Sequence, residues 1–184
     1  MKKILVWTGI ALVILQILDS MFTNKKKGMY KYDGSLSASD KIQRWIDYFT
    51  PIIKPIAKEY GLPWKALVAQ TGWETGWGKS SLIYDAFNFA GIKAVKGEPY
   101  VTRRTHEIEN GVKIYKDAKF RKWANLEDGL SGYANFFHKN KRYAKALEFP
   151  NDPYRFIEEI RKAGYATSLN YVKNLHGILD KYLS

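Results

Sequence analysis

The chain has 184 residues and no cysteine. This length suffices for one compact domain and an additional segment, and the missing thiols exclude disulfide bonds, cysteine-ligated metals and cysteine nucleophiles. The formal net charge of +12 is typical of a protein that meets an anionic polymer or membrane, although charge alone does not separate nucleic acid from an anionic cell wall.

The first predicted element is an apolar run over residues 4–22, which lies between Lys2 and Lys3 and the lysines at 25–27. As a helix that rises about 1.5 Å per residue, the run nearly spans a bilayer core. No small-x-small cleavage pattern follows it. We therefore expect residues 1–22 to form a transmembrane anchor, with a cleaved signal peptide as the alternative.

Residues 23–39 are rich in Lys, Gly, Ser and Asp and are predicted to form a flexible linker. A compact domain is expected over residues 40–184, and Asp40 is predicted to be the N-cap of its first helix.

Prolines and glycines then mark the predicted helix boundaries. Pro51 and Pro55 punctuate a second helical stretch that is expected to end at Gly61. Pro63 is predicted at the first position of the next helix, where its missing N–H costs nothing.

The middle of the chain predicts a β-hairpin. Two strand-like runs, residues 100–102 and 112–115, flank the turn pair Asn110-Gly111, which is a strong hairpin signal.

Three further helices are predicted to begin near Asn125, near Asp152-Pro153 and at Ser168. The predicted fold class is therefore α+β, mostly helical, with one inserted β-hairpin and a preceding transmembrane helix.

The helix after Pro63 carries the first candidate for acid–base chemistry. Four of its residues share one face at positions i, i+3, i+4 and i+7: Leu67, Gln70, Thr71 and Glu74. Burial and the negative end of the helix dipole both raise the pKa of a carboxyl in the last turn. A carboxyl that remains protonated can act as the general acid of glycoside cleavage. Spacing alone favours a structural glutamate that is paired with a lysine or arginine.

The hairpin supplies candidates for a second carboxylate. Glu107 and Glu109 lie at i and i+2 and would share one face of a strand. Either could activate a water molecule across a cleft, or be a solvated surface charge, and spacing does not choose between them.

Six segments in order resemble the motifs of glycoside hydrolase family 73, whose members are glucosaminidases. Residues 69–80 (A-Q-T-G-W-E-T-G-W-G-K-S) are similar to the family signature A-Q-x-x-x-E-[ST]-G-W-G-K-S. The other matching segments are residues 88–93, 105–111, 120–130, 142–147 and 163–171.

This resemblance implies a lysozyme-like fold and hydrolysis of the β-1,4 bond between N-acetylglucosamine and N-acetylmuramic acid. By position, Glu74 matches the catalytic acid and Glu107 matches the hairpin carboxylate that acts as base or stabiliser. Tyr171 matches a catalytic tyrosine of the cleft floor. The substrate-binding candidates are Gln70, Asn88 and Tyr165.

The sequence departs from the family pattern at a few positions. Trp73 replaces a small aliphatic residue beside the acid, and Ala90 stands where a phenylalanine is expected. Both changes predict sugar subsites that differ in shape from those of the family. Trp77 is interpreted as an aromatic ring that packs the end of the helix.

Two alternative functions stay open. A lytic transglycosylase would use one glutamate and release anhydro products, and a non-catalytic module would bind wall or nucleic acid. A substrate-assisted path would make Glu107 a stabiliser.

The expected partners are peptidoglycan strands and, through the N-terminal helix, a membrane, with no nucleic acid and no cofactor. His106, His138 and His176 are scattered along the sequence, so we expect no metal site. If the substrate is peptidoglycan, the domain is expected outside the cytoplasm.

Overall fold

A computed structural model of the chain describes residues 29–184, apart from Asn110 and Gly111 and the side chains of residues 106–113. Tyr32–Ser184 forms one compact unit, and Met1–Lys31 is assigned to a second. The predicted membrane anchor at residues 1–22 and the start of the predicted linker lie outside the described residues. Within the described part of the chain, no helix has both the length and the apolar character that a bilayer crossing requires.

The architecture is mostly helical with one two-stranded antiparallel hairpin, which confirms the predicted α+β class. The elements in chain order are α1 (Ala38–Glu59), α2 (Trp64–Thr75), α3 (Leu82–Asp85), β1 (Tyr100–Glu109), β2 (Val112–Arg121), α4 (Leu126–Lys139), 3-10 turns at Lys141–Tyr143 and Ala146–Glu148, α5 (Pro153–Lys162) and α6 (Tyr171–Tyr182).

Helix α1 begins earlier than the sequence predicted. Its N-cap is Ser37, whose hydroxyl accepts a hydrogen bond from the backbone N–H of Asp40 at 3.2 Å. The prediction of Asp40 as the N-cap is therefore wrong. Asp40 lies instead in the first turn, where its carboxylate accepts a hydrogen bond from Ser37 Oγ at 2.7 Å and interacts favourably with the positive end of the helix dipole.

Pro51 and Pro55 do not separate two helices, because both lie inside α1. Neither proline contributes to the core, since both side chains are exposed. The buried face continues past them at helical spacing and offsets the backbone hydrogen bonds that prolines remove. That face contains Trp45, Phe49, Ile53 and Ile56. The predicted end near Gly61 is confirmed, since this glycine has φ of +59° just after the helix.

Helix α2 is the central element of the domain. It packs against α1, α5 and α6, and most of its residues are buried, including polar Gln70 and Thr71. The buried surface therefore extends around most of the helix, and the single apolar stripe that the sequence predicted is only part of it. Pro63 is the N-cap of α2 and not its first residue, so the helix begins one residue later than predicted.

The hairpin is longer than predicted, with paired residues from Tyr100↔Arg121 to Glu109↔Val112. Its base is fixed to the domain. Buried Phe120 on β2 forms an isolated antiparallel bridge with Lys93. This bridge joins a third backbone segment to the hairpin. Ion pairs Arg103–Asp85 and Arg121–Glu98 add further connections at this end.

Two of the three predicted helix starts after the hairpin are confirmed. Asn125 caps α4 through its side chain, and Asp152 caps α5 with Pro153 in the first turn. The predicted start at Ser168 is wrong, because α6 begins at Tyr171. Ser168 precedes the helix, and its carbonyl accepts a hydrogen bond from the Tyr171 N–H at 3.3 Å.

Helix α4 approaches its neighbours so closely that two positions have no room for a side chain. A Cβ atom at Gly129 would lie 2.1 Å from the backbone oxygen of Phe87, and one at Gly132 would lie 2.3 Å from Trp123 Nε1. These glycines allow the segments before and after the hairpin to pack directly on the helix.

The substitution Gly129→Ala is expected to lower the free energy of unfolding by about 2 kcal/mol, because the methyl group overlaps rigid backbone. The matched control is Gly177→Ala in α6, where a Cβ meets open space. The control should gain up to about 1 kcal/mol from helix propensity. Urea denaturation measures both changes, and equal shifts in the two variants would contradict the close approach.

Candidate active site

The C-terminal end of α2 is fixed by a Schellman motif. Gly76 adopts a left-handed conformation with φ of +59°, and the N–H of Trp77 donates to the carbonyl of Gly72 at 2.7 Å. The Trp77 ring packs on the same glycine, since a Cβ at Gly72 would lie 2.2 Å from its Cζ3 atom. The prediction that Trp77 packs the end of the helix is confirmed. This arrangement fixes the direction of the last turn, which carries Glu74.

Glu74 points into an open cleft of about 800 Å³. The end of α2 and residues 90–95 contribute one part of the lining. The other part comes from α4, the 3-10 turn Lys141–Tyr143 and residues 165–171. This volume lies within the range of small-molecule binding sites in proteins.

The carboxyl of Glu74 reaches solvent through the cleft, but the surrounding protein displaces much of its water. This burial raises the pKa of Glu74, and hydrogen bonds from the hydroxyls of Tyr165 and Tyr171 lower it by a smaller amount. The net pKa is raised. Desolvation, the first of the two effects that the sequence predicted, is thus the main cause. Glu74 therefore retains its proton to a higher pH than an ordinary glutamate.

A chain of polar contacts continues behind the acid. The side-chain amide of Gln70 donates a hydrogen bond to the hydroxyl of Tyr171 at 2.9 Å. The hydroxyls of Tyr165 and Tyr133 lie 3.3 Å apart. Burial raises the pKa of all three tyrosines, and the Glu74 charge raises them further. The tyrosines therefore remain protonated hydrogen-bond donors.

The structure brings four of the six predicted site residues together: Gln70, Glu74, Tyr165 and Tyr171. Gln70 is fully buried beneath Tyr171, so it positions the tyrosine from behind. The role of each of these residues in catalysis or binding stays a prediction.

Asn88 has a different environment. It is buried, and its amide nitrogen donates to the carbonyls of Ile92 and Arg121, each at 2.9 Å, while its oxygen accepts from the Ile92 N–H. These bonds join residues 88–92 to the base of the hairpin and so shape the cleft. Its predicted contact with substrate stays a prediction.

Glu107 lies on β1, where its backbone pairs with Ile114. Its side chain is outside the described residues, so its predicted role as base or stabiliser stays a prediction. Among the side chains that the structure describes, no group of three histidine, cysteine, aspartate or glutamate residues is arranged to hold a metal ion.

The cleft residues that were not predicted as site residues include three with large or charged side chains: Trp73, Lys93 and Arg142. Trp73 is 40% exposed, and its signal in the sequence was an aromatic residue beside the candidate acid. Lys93 and Arg142 lie within two of the matching motifs. Their position in the cleft, however, depends on segments that are distant in sequence.

A family model described as "Glucosaminidase: Mannosyl-glycoprotein endo-beta-N-acetylglucosaminidase" matches residues 50–184. The chain belongs to this glucosaminidase family. The resemblance that the sequence motifs indicated is confirmed, and the matched range includes the acid-bearing helix, the hairpin and every other predicted site residue.

Curated relatives agree with the family. A peptidoglycan hydrolase FlgJ of Pseudomonas aeruginosa is 34% identical over 131 residues, which cover 68% of this chain and 33% of the relative. An exo-glucosaminidase LytG of Bacillus subtilis is 29% identical and covers 78% of this chain and 52% of its own length. The chain spans about a third to a half of the length of the FlgJ relatives that it matches.

A solved structure has the same fold. A peptidoglycan hydrolase mutant from Sphingomonas sp. A1 superposes with a TM-score of 0.65 at 30% identity, and the match covers 77% of this chain and 94% of that one. The catalytic domain of the autolysin Auto from Listeria monocytogenes gives a TM-score of 0.69 at 20% identity, which shows the fold alone. The lysozyme-like fold that the sequence predicted is thereby confirmed for the domain.

The substitution Tyr171→Phe removes a hydroxyl that stabilises the ionised form of Glu74. The pKa of Glu74 should therefore rise further, and the alkaline limb of the pH profile of kcat/KM should move to higher pH. Loss of the partner of buried Gln70 should also cost about 1–3 kcal/mol of stability.

The matched control is Tyr154→Phe, which removes a tyrosine hydroxyl that donates to Asp180 at 2.6 Å outside the cleft. The control should leave the pH profile in place. A Tyr171→Phe profile that moves to lower pH would contradict the proposed contact between Tyr171 and Glu74.

Proposed function

We propose that the domain hydrolyses the β-1,4 bond between N-acetylglucosamine and N-acetylmuramic acid in peptidoglycan, with Glu74 as the general acid. The observation that carries this proposal is a carboxyl with a raised pKa, which interacts with two tyrosines and lines an open cleft. The family and the names of the relatives, a peptidoglycan hydrolase and an exo-glucosaminidase, support the same chemistry.

The contacts of Glu74 suit proton donation. The protonated carboxyl transfers its proton to the glycosidic oxygen as the C–O bond breaks, and it becomes a carboxylate. The hydroxyls of Tyr165 and Tyr171 then donate to a charge that was absent before the transfer. Because these donors interact more strongly with the charged form, they stabilise the transition state more than the bound substrate.

Glu107 is proposed as the group that activates the attacking water or stabilises the positive charge on the sugar. In a substrate-assisted path, the acetamido oxygen of the sugar would attack the sugar carbon in place of water, and Glu107 would stabilise the acetamido group. Either path ends with water added to the sugar carbon.

A lytic transglycosylase is the second candidate. It is favoured by one observation: among the side chains that the structure describes, Glu74 is the only carboxylate that lines the cleft. Such an enzyme needs only one carboxylate, because a hydroxyl of the muramic acid residue closes an anhydro ring in place of water.

The substitution Glu74→Gln is expected to lower the rate of wall digestion by about 10²- to 10⁴-fold, the usual contribution of a general acid. The control Glu59→Gln removes an exposed charge at the end of α1 and should leave the rate unchanged. Mass spectrometry of the reduced wild-type products should show N-acetylglucosaminitol ends. Anhydromuramic ends would support the transglycosylase instead, and full activity of Glu74→Gln would refute both.

A stability measurement separates the expected loss of activity in Glu74→Gln from misfolding of the variant. The folded state holds the proton of Glu74 more tightly than the unfolded state, so ionisation of Glu74 costs stability as pH rises above the ordinary glutamate pKa. Glu74→Gln removes this cost. Its melting temperature should exceed that of the wild type at neutral pH and match it at pH 3.

We also propose that residues 1–22 anchor the chain in a membrane with the domain outside the cytoplasm. The lysine-flanked apolar run supports the anchor, and the location of the proposed substrate supports the orientation. The full-length chain should sediment with membranes, and protease added outside spheroplasts should remove the domain. Protection of the domain from external protease would contradict this orientation.

A further inference from the structure

Among the side chains that the structure describes, two cations line the cleft, Lys93 and Arg142. Both are exposed to solvent. They belong to different parts of the fold: Lys93 lies in the segment that bridges to β2, and Arg142 lies in the 3-10 turn after α4.

Lys93 is held over an aromatic ring. Its ammonium nitrogen lies 4.1 Å from the centroid of the Phe120 ring, and the backbones of the same two residues form an isolated β-bridge. Because Phe120 is buried, the ring provides a fixed surface for the ammonium group. A cation–π contact of this kind restrains the charge without neutralising it.

Arg142 is held in a similar way. Its guanidinium carbon lies 4.6 Å from the centroid of the Tyr143 ring, and Tyr143 is fully buried. One guanidinium nitrogen also donates to the carbonyl of Gly164 at 3.5 Å, a long hydrogen bond. The other guanidinium N–H groups suit a planar carboxylate.

Neighbouring cations at the base of the hairpin are neutralised, since Arg121 pairs with Glu98 and Arg103 pairs with Asp85. Among the described residues, Lys93 and Arg142 form no such ion pair. The only described carboxylate in the cleft belongs to Glu74, and the influences on its pKa are burial and two tyrosines. The two cations therefore present unneutralised charge to a ligand in the cleft.

We propose that Lys93 and Arg142 bind carboxylate groups carried by the glycan strand and so select it over a neutral polymer of N-acetylglucosamine. This inference rests on the proposed function. The carboxylates have two possible sources. A peptide-free muramic residue carries a lactyl carboxylate, whereas a peptide-bearing residue has this group as an amide and carries its carboxylates on the peptide.

Isothermal titration calorimetry on the Glu74→Gln protein tests the proposal without cleavage of the ligand. The three ligands are a peptide-free muramic-acid-containing tetrasaccharide, its peptide-bearing form and a neutral tetramer of N-acetylglucosamine. We expect this Glu74→Gln protein, the parent of the variants below, to bind a carboxylate-bearing ligand more tightly than the neutral one. Its affinity for the carboxylate-bearing ligand should fall as the salt concentration rises.

Adding Lys93→Met or Arg142→Gln should lower the affinity for the carboxylate ligand on the order of tenfold and leave the neutral ligand unaffected. The matched controls Lys96→Met and Lys141→Gln remove exposed neighbouring charges that do not line the cleft and should change neither affinity. A loss for the peptide-free ligand identifies the lactyl carboxylate as the bound group. A loss for the peptide-bearing ligand alone identifies the peptide.

Equal losses for all three ligands, no loss, or a parent that does not prefer carboxylate ligands would each overturn the proposal. Wall digestion by the wild type is a separate measurement. If it proceeds while the carboxylate preference is absent, the proposed function stands and only this inference fails.

Discussion

The interaction of the Glu74 carboxyl with the hydroxyls of Tyr165 and Tyr171 is the feature of the site that depends most on the packing of the rest of the domain. The three residues come from the end of α2, the segment after α5 and the first position of α6. These elements have to be fixed within a fraction of an ångström for the contacts to persist. Such precision is possible because α2 packs against α1, α5 and α6.

The site balances two opposing effects on one carboxyl. Burial favours the neutral form of Glu74, and the tyrosine hydroxyls favour the charged form. An acid has to pass through both forms, so neither effect alone would serve catalysis. The tyrosines remain donors because burial and the nearby Glu74 charge raise their own pKa values. The two cationic side chains of the cleft, Lys93 and Arg142, lie over the rings of Phe120 and Tyr143.

Local signals in the sequence predicted the features that depend on local contacts. Asn125 and Asp152 cap their helices as expected, and the end of α2 lies where glycines follow Glu74. The continuation of α1 through its prolines could not be predicted from local sequence. Burial of the apolar face of the helix outweighs the tendency of proline to end a helix. The hydrogen bond between Gln70 and Tyr171 spans 101 positions. No spacing rule reports a contact of this kind, and only the ordered motifs indicated that the two residues belong to one site.

The most direct test of this account is the pKa of Glu74 itself, measured by carbon-13 NMR of the side-chain carboxyl across a pH titration of the folded domain. The account predicts a midpoint above that of an ordinary glutamate, and a still higher midpoint in Tyr171→Phe. A Glu74 that titrates at or below the ordinary value would contradict the central claim, because such a carboxyl would be ionised before it could donate a proton.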